Sequence, residues 1–62
     1  MYEGFYVTFT RTDGEIEEYF YWTIECAEEH FELFRNDDSG LYRKIELKFA
    51  DTDEILDELV FQ

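Results

Sequence analysis

Cys26 and His30 stand four residues apart, a spacing that on a helix brings a thiol beside an imidazole. Such a pair could supply half of a metal site or an activated thiolate. A thiolate wants positive surroundings, and the glutamates around this pair offer the opposite. The sequence holds one Cys and one His, so no zinc site can be completed. A packed, partly buried pair is the better reading. Asp37-Asp38, Asp51 and Asp53 offer oxygens of the kind calcium takes, but no Asp-x-Asp-x-Asp-Gly loop is present, and they read as solvated turn acids. Carboxylate pairs are too abundant for any one to stand out as an acid–base pair. No Ser/His/Asp set is recognisable, and three scattered glycines make no phosphate loop. A non-enzyme is therefore expected, with no catalytic residue, cofactor or metal.

The chemistry left is charge. Residues 23–36 predict the helix that presents it. At about 100° per residue, Ile24, Ala27, Phe31 and Phe34 form an apolar stripe, with Cys26, His30 and Leu33 beside it. Glu25, Glu28, Glu29 and Glu32 fall together on the opposite side, within an arc of about 100°. Thr23 suits the N-cap, and Glu25 in the first turn favours the helix dipole. Arg35 alone answers the glutamates, at i+3 from Glu32. The run from Asn36 to Gly40 ends the helix.

On either side of the helix the pattern turns to strands. Residues 2–10 alternate Phe5, Val7 and Phe9 with Tyr6, Thr8 and Thr10. Asp13-Gly14 is a strong hairpin signal, and residues 15–22 are the return strand. A two-residue loop pairs Thr12 with Glu15, Phe5 with Trp22 and Val7 with Phe20. That register sorts Phe5, Val7, Phe9, Ile16, Phe20 and Trp22 onto one face, and Tyr6, Thr8, Thr10, Glu15, Glu17, Tyr19 and Tyr21 onto the other. A three-residue loop over 12–14 would mix the two sets, so the two-residue loop is expected. Glu18 is then the misfit, opposite Phe9.

Residues 41–49 alternate Leu41, Ile45, Leu47 and Phe49 with Tyr42, Lys44, Glu46 and Lys48, as a half-buried strand does. Residues 51–62 fit either a helix, with Ile55, Leu56, Leu59 and Val60 on one side, or a strand with Ile55, Leu59 and Phe61 inward. The strand is preferred over residues 52–61, with Asp51-Thr52-Asp53 as the turn of a second hairpin. The expected architecture is α+β in ββαββ order, a single domain over 1–62 whose antiparallel sheet carries one helix on one face. Its expected core is Phe5, Val7, Phe9, Phe20, Trp22, Ile24, Ala27, Phe31, Phe34, Ile45, Leu47, Leu59 and Phe61.

Composition bounds the function. Sixty-two residues make one small domain, which buries only about 60% of its unfolded surface. Hydrophobic residues at 45%, with seven Phe, five Tyr and one Trp, mark a folding chain and not a disordered acidic tail. The lone Cys26 excludes an internal disulfide. The net charge of -12 opposes direct binding to nucleic acid or to a membrane surface. No signal peptide or transmembrane span is apparent, which points to the cytoplasm.

The Thr12-Asp13-Gly14 turn, the run His30-Phe31-Glu32-Leu33-Phe34 leading into Asp37-Asp38-Ser39-Gly40-Leu41-Tyr42, and the following Ile45-Glu46-Leu47 carry a resemblance. The chain resembles short acidic proteins of Gram-positive bacteria and their mobile elements. The likeness spans most of the chain and implies a hairpin, a helix and a second hairpin, with no activity attached.

Two surfaces could serve a partner. The helix carboxylates Glu25, Glu28, Glu29 and Glu32 could meet a basic protein surface, as in a nucleic-acid mimic that blocks a nuclease or another DNA- or RNA-binding effector (an anti-restriction or anti-CRISPR type of inhibitor). Alternatively, Tyr6, Tyr19 and Tyr21 would stand on the sheet face away from the helix and serve self-association, giving a homodimer.

Overall fold

The computed structural model describes residues 4–61. Residues 2 and 3 of the first expected strand and Gln62 lie outside the described residues. The elements run β1 (Phe5–Arg11), β2 (Ile16–Tyr21), α1 (Ile24–Glu32), β3 (Tyr42–Phe49) and β4 (Ile55–Val60). The chain is thus an α+β domain in ββαββ order, and the C-terminal segment is a strand. The four strands form one antiparallel sheet in the order β2-β1-β3-β4. The helix lies across β1, β2 and β3; among the described residues it does not pack on β4.

The helix forms where its stripe predicts. Thr23 has the extended backbone of an N-cap, and its Oγ1 accepts from the Cys26 N–H at 3.3 Å. Ala27 and Phe31 are fully buried. The regular helix ends earlier than Asn36, with Leu33 as C-cap. Beyond it the chain tightens into i+3 turns, with the Phe34 N–H donating to Phe31 and the Arg35 N–H to Glu32.

The first hairpin departs from the expected register. Arg11 pairs with Glu15 across a three-residue loop, Thr12-Asp13-Gly14, and the ladder runs Phe5–Tyr21, Val7–Tyr19 and Phe9–Glu17. A two-residue type I′ loop needs positive φ at both central residues. Here Gly14 alone in the turn takes it, at +95°, and the Asp13 carboxylate accepts from the Glu15 N–H at 3.0 Å. This is a tight turn closed by a glycine in the left-handed slot. The one-residue slip flips all of β2. Tyr19 and Tyr21 face the helix; Ile16, Glu18, Phe20 and Trp22 face away. Phe20 and Trp22 are therefore not core residues, and Trp22 is 71% exposed. Glu18 stands opposite Thr8, whose hydroxyl donates to it at 3.3 Å, and the expected misfit disappears.

Two bulges make further corrections. Thr10 pairs with Lys44 but Arg11 pairs with Tyr42, so Arg43 is the extra residue and Tyr42 turns inward. Its ring lies 5.2 Å from Phe9 and 5.4 Å from Phe34, while Leu41 is left exposed. In β4, Leu47 pairs with Asp57 and Lys48 with Ile55, so Leu56 is the extra residue and Ile55 turns outward. The turn before β4 spans 50–53, with Asp53 at φ 60°.

The core is accordingly Val7, Phe9, Ala27, Phe31, Ile45, Leu47 and Leu59, ringed by the partly buried Phe5, Tyr21, Ile24, Phe34, Tyr42 and Phe61. Phe9 is its centre, with edge-on aromatic contacts to Tyr19 at 5.6 Å and Phe34 at 4.9 Å.

Candidate functional site

The stripe that buries Ala27 and Phe31 turns the opposite side of α1 to solvent. Glu25, Glu28, Glu29 and Glu32 are all exposed there, as their spacing requires. They are not equivalent. Arg35, one turn on, grips Glu32 with a forked pair, Nε to Oε1 at 2.6 Å, and reaches Asp57 on β4 at 3.3 Å. The guanidinium lowers the Glu32 pKa, chiefly through the side-chain hydrogen bond, and the same bond raises that of Arg35. Among the described residues, Glu25, Glu28 and Glu29 have no ion-pair partner within 4 Å. Three free carboxylates and one tethered one thus form the acidic face.

Beside this face lies a feature that sequence periodicity did not reveal. Because α1 does not reach β4, the sheet is left open between them. A cleft of about 410 Å³ runs there, lined by Phe5, Ile24, Leu47, Phe49 and Leu56, with Glu28 and Asp57 completing its wall. Leu56 reaches this side only because the bulge in β4 displaces it. Nothing in the alternation of residues 51–62 announces such a bulge. The cleft joins apolar lining to carboxylates, a combination suited to a basic side chain with an apolar stem.

Tyr6, Tyr19 and Tyr21 do not share a surface. Tyr6 is on the face away from the helix, beside Phe20 at 5.5 Å. Tyr19 and Tyr21 lie on the helix side against His30, at centroid distances of 5.2 and 5.7 Å. The expected tyrosine patch is therefore divided by the sheet. The physical reason is the hairpin slip. A tyrosine ring is apolar enough to pack and its hydroxyl polar enough to stay wet, so alternation alone did not assign these rings to a side.

His30 is partly buried. Its Nδ1 lies 2.6 Å from the Tyr21 hydroxyl, and burial lowers its pKa. The neutral imidazole and the Tyr21 hydroxyl share one hydrogen bond there. Cys26 is exposed, beside His30 in a shallow pocket with Tyr21, Glu29 and Leu33. Of the expected packed pair, only His30 is packed. Among the described residues no three His, Cys, Asp or Glu side chains converge to hold a metal ion. The turn acids do local work: Asp37 accepts from the Ser39 hydroxyl at 2.7 Å, whose oxygen in turn accepts from the Leu41 N–H at 3.2 Å.

Among the described residues no helix is long and apolar enough to cross a membrane. The chain matches no family model, no curated protein and no solved structure.

Proposed function

We propose that this is a non-enzymatic binding protein that offers its α1 carboxylates to a basic protein partner. The observation that carries the reading is the pairing of free, exposed Glu25, Glu28 and Glu29 with the open cleft whose wall includes Glu28 and Asp57. Charge draws the partner in, and the cleft receives an apolar stem, so that contact is not electrostatic alone.

In its sharpest form the acidic face is a nucleic-acid mimic of mobile-element origin. It occupies the binding channel of a nuclease or another DNA- or RNA-binding effector, in the manner of anti-restriction and anti-CRISPR inhibitors. Residues 25–32 cover about 10 Å at ~1.5 Å rise per residue. The three carboxylates that Arg35 leaves free give one charge per ~3 Å there, within a factor of two of the one per ~1.7 Å of duplex DNA. The net charge of -12 adds long-range attraction to any basic channel. A cytoplasmic setting accompanies this reading, since an exposed lone Cys26 stays reduced there.

The test is capture from a Gram-positive bacterial lysate on immobilised protein, eluted with a salt gradient and repeated with Glu25→Gln, Glu28→Gln and Glu29→Gln singly and together. A nucleic-acid-binding protein that leaves at moderate salt, earlier with each substitution, supports the reading. Binding that survives high salt or the triple neutralisation rules it out. Glu32→Gln should matter less, because Arg35 already neutralises that carboxylate.

A further inference from the structure

The cleft between α1 and β4 has a more particular chemistry than the acidic face beside it. Two of its walls are aromatic. The rings of Phe5 and Phe49, cross-strand partners on β1 and β3, lie 5.5 Å apart with a tilt of 37°. Ile24, Leu47 and Leu56 supply aliphatic lining, and Leu56 is 43% exposed. The two carboxylates on the wall differ. Asp57 is engaged at both oxygens: Oδ1 accepts from the Glu58 N–H at 2.9 Å, and Oδ2 pairs with Arg35 at 3.3 Å. Glu28 is exposed and, among the described residues, has no ion-pair partner within 4 Å. At about 410 Å³ the cleft is at the small end of ligand pockets, which run roughly 300–1,000 Å³.

We propose that this cleft is an arginine pocket, taking one arginine side chain that the basic partner presents. This rests on the proposed function's reading of the α1 side as the partner-facing one, and it names the residue recognised there. The arginine's three-carbon stem and the flat faces of its guanidinium lie against the aliphatic and aromatic lining. Its N–H groups donate to the Glu28 carboxylate as a charge-assisted pair. Arg35 already neutralises Asp57, so the pocket carries one unbalanced negative charge and takes one cation.

Each other occupant leaves one of these features unmatched. A leucine or methionine would fill the lining but strip water from Glu28 without replacing its hydrogen bonds. A lysine would answer Glu28, but its compact ammonium holds water tightly and has no flat face for the rings of Phe5 and Phe49. A phosphate or carboxylate would meet Glu28 as a like charge. A second copy of the chain brings a further net charge of -12 to an acidic surface. Arginine answers the aliphatic lining, the aromatic walls and the single open carboxylate together. It is also a residue type that basic channels use to hold phosphates and that supplies much of the energy at protein interfaces.

The test is an amide NMR titration of the full chain at constant ionic strength, with end-blocked Gly-X-Gly tripeptides in which X is arginine, lysine or leucine. The arginine peptide should give saturating shifts at the amides of Ile24, Leu47 and Leu56. The lysine peptide should bind roughly threefold or more weaker, for want of stacking, and the leucine peptide should not saturate. Glu28→Gln should weaken the arginine peptide roughly fivefold. Leu56→Ser, which changes no charge, should weaken it by a similar factor, whereas Glu15→Gln on the distant hairpin should not. Glu28, Leu56 and Glu15 are exposed, so circular dichroism should report an unchanged fold. Equal binding of the lysine and arginine peptides overturns the inference, as does tighter binding of the leucine peptide. Shifts confined to Glu25 and Glu29, with the cleft amides silent, also overturn it. No nucleic-acid-binding protein takes part in this titration, so its failure leaves the capture experiment standing. Arginine binding that saturates while capture fails overturns the nucleic-acid mimic and supports the pocket.

Discussion

His30 shows how one side chain ties stability to pH. It sits among Phe9 of β1, Tyr19 and Tyr21 of β2 and Phe34, with Cys26 and Glu29 lining the same pocket. Burial lowers its pKa below the ordinary 6.5, so on acidification the unfolded chain takes up this proton before the folded one does. Protonation makes both ring nitrogens donors, so the imidazolium can meet the Tyr21 hydroxyl only as a donor. The stability this site confers is complete above the unfolded value and declines as pH falls through it. Thermal melts by circular dichroism should show the melting temperature dropping between roughly pH 7 and pH 5.5, near the ordinary histidine range. His30→Gln, which keeps an acceptor for Tyr21 but cannot titrate, should flatten that step. A wild-type profile flat across the window contradicts this account. Glu32 has the same sign in a more acidic window: Arg35 lowers its pKa, so the stability it adds is present above the ordinary carboxylate range and lost as pH falls through it.

Among the elements, the helix was the most legible and the first hairpin the least. Thr23, the Ile24–Ala27–Phe31 stripe and the opposing glutamates each had one reading, and all three hold. The order of elements and the strand at the C-terminus were also readable, because turn residues and alternation agree there. The hairpin register was not. It depended on whether Asp13 and Gly14 both take positive φ or Gly14 alone does, and on which side Tyr19 and Tyr21 prefer. Both choices are decided by packing against Phe9 and His30, which the local sequence does not contain. The bulges at Arg43 and Leu56 were invisible for the same reason, and with them went the cleft beside α1. The corrected register makes a prediction in urea unfolding of dilute protein. Phe9→Ala, at the fully buried centre, should lose about 3–5 kcal/mol. Ile16→Ala, on the outer face, should change stability by no more than ~0.5 kcal/mol. A comparable loss at Ile16 would restore the two-residue loop.

At the scale of the whole molecule, the sheet separates two kinds of surface. On one side α1 exposes Glu25, Glu28 and Glu29 beside an apolar cleft; on the other lie exposed apolar side chains and two lysines. The α1 side was legible as charge on a helical wheel, but the tethering of Glu32 and the contribution of Asp57 required the fold. The outer side was misread, because its aromatic residues are Tyr6, Phe20 and Trp22 and not the three tyrosines. The central claim is that the acidic face substitutes for a nucleic acid in a basic channel. It is tested most directly by competition on the captured partner, titrating duplex DNA of mixed sequence against the immobilised protein at constant ionic strength. The account predicts that DNA displaces the partner in proportion to its concentration, and that the Glu25→Gln/Glu28→Gln/Glu29→Gln variant is displaced at far lower DNA. A partner that binds DNA and this protein simultaneously, with neither weakening the other, would contradict it.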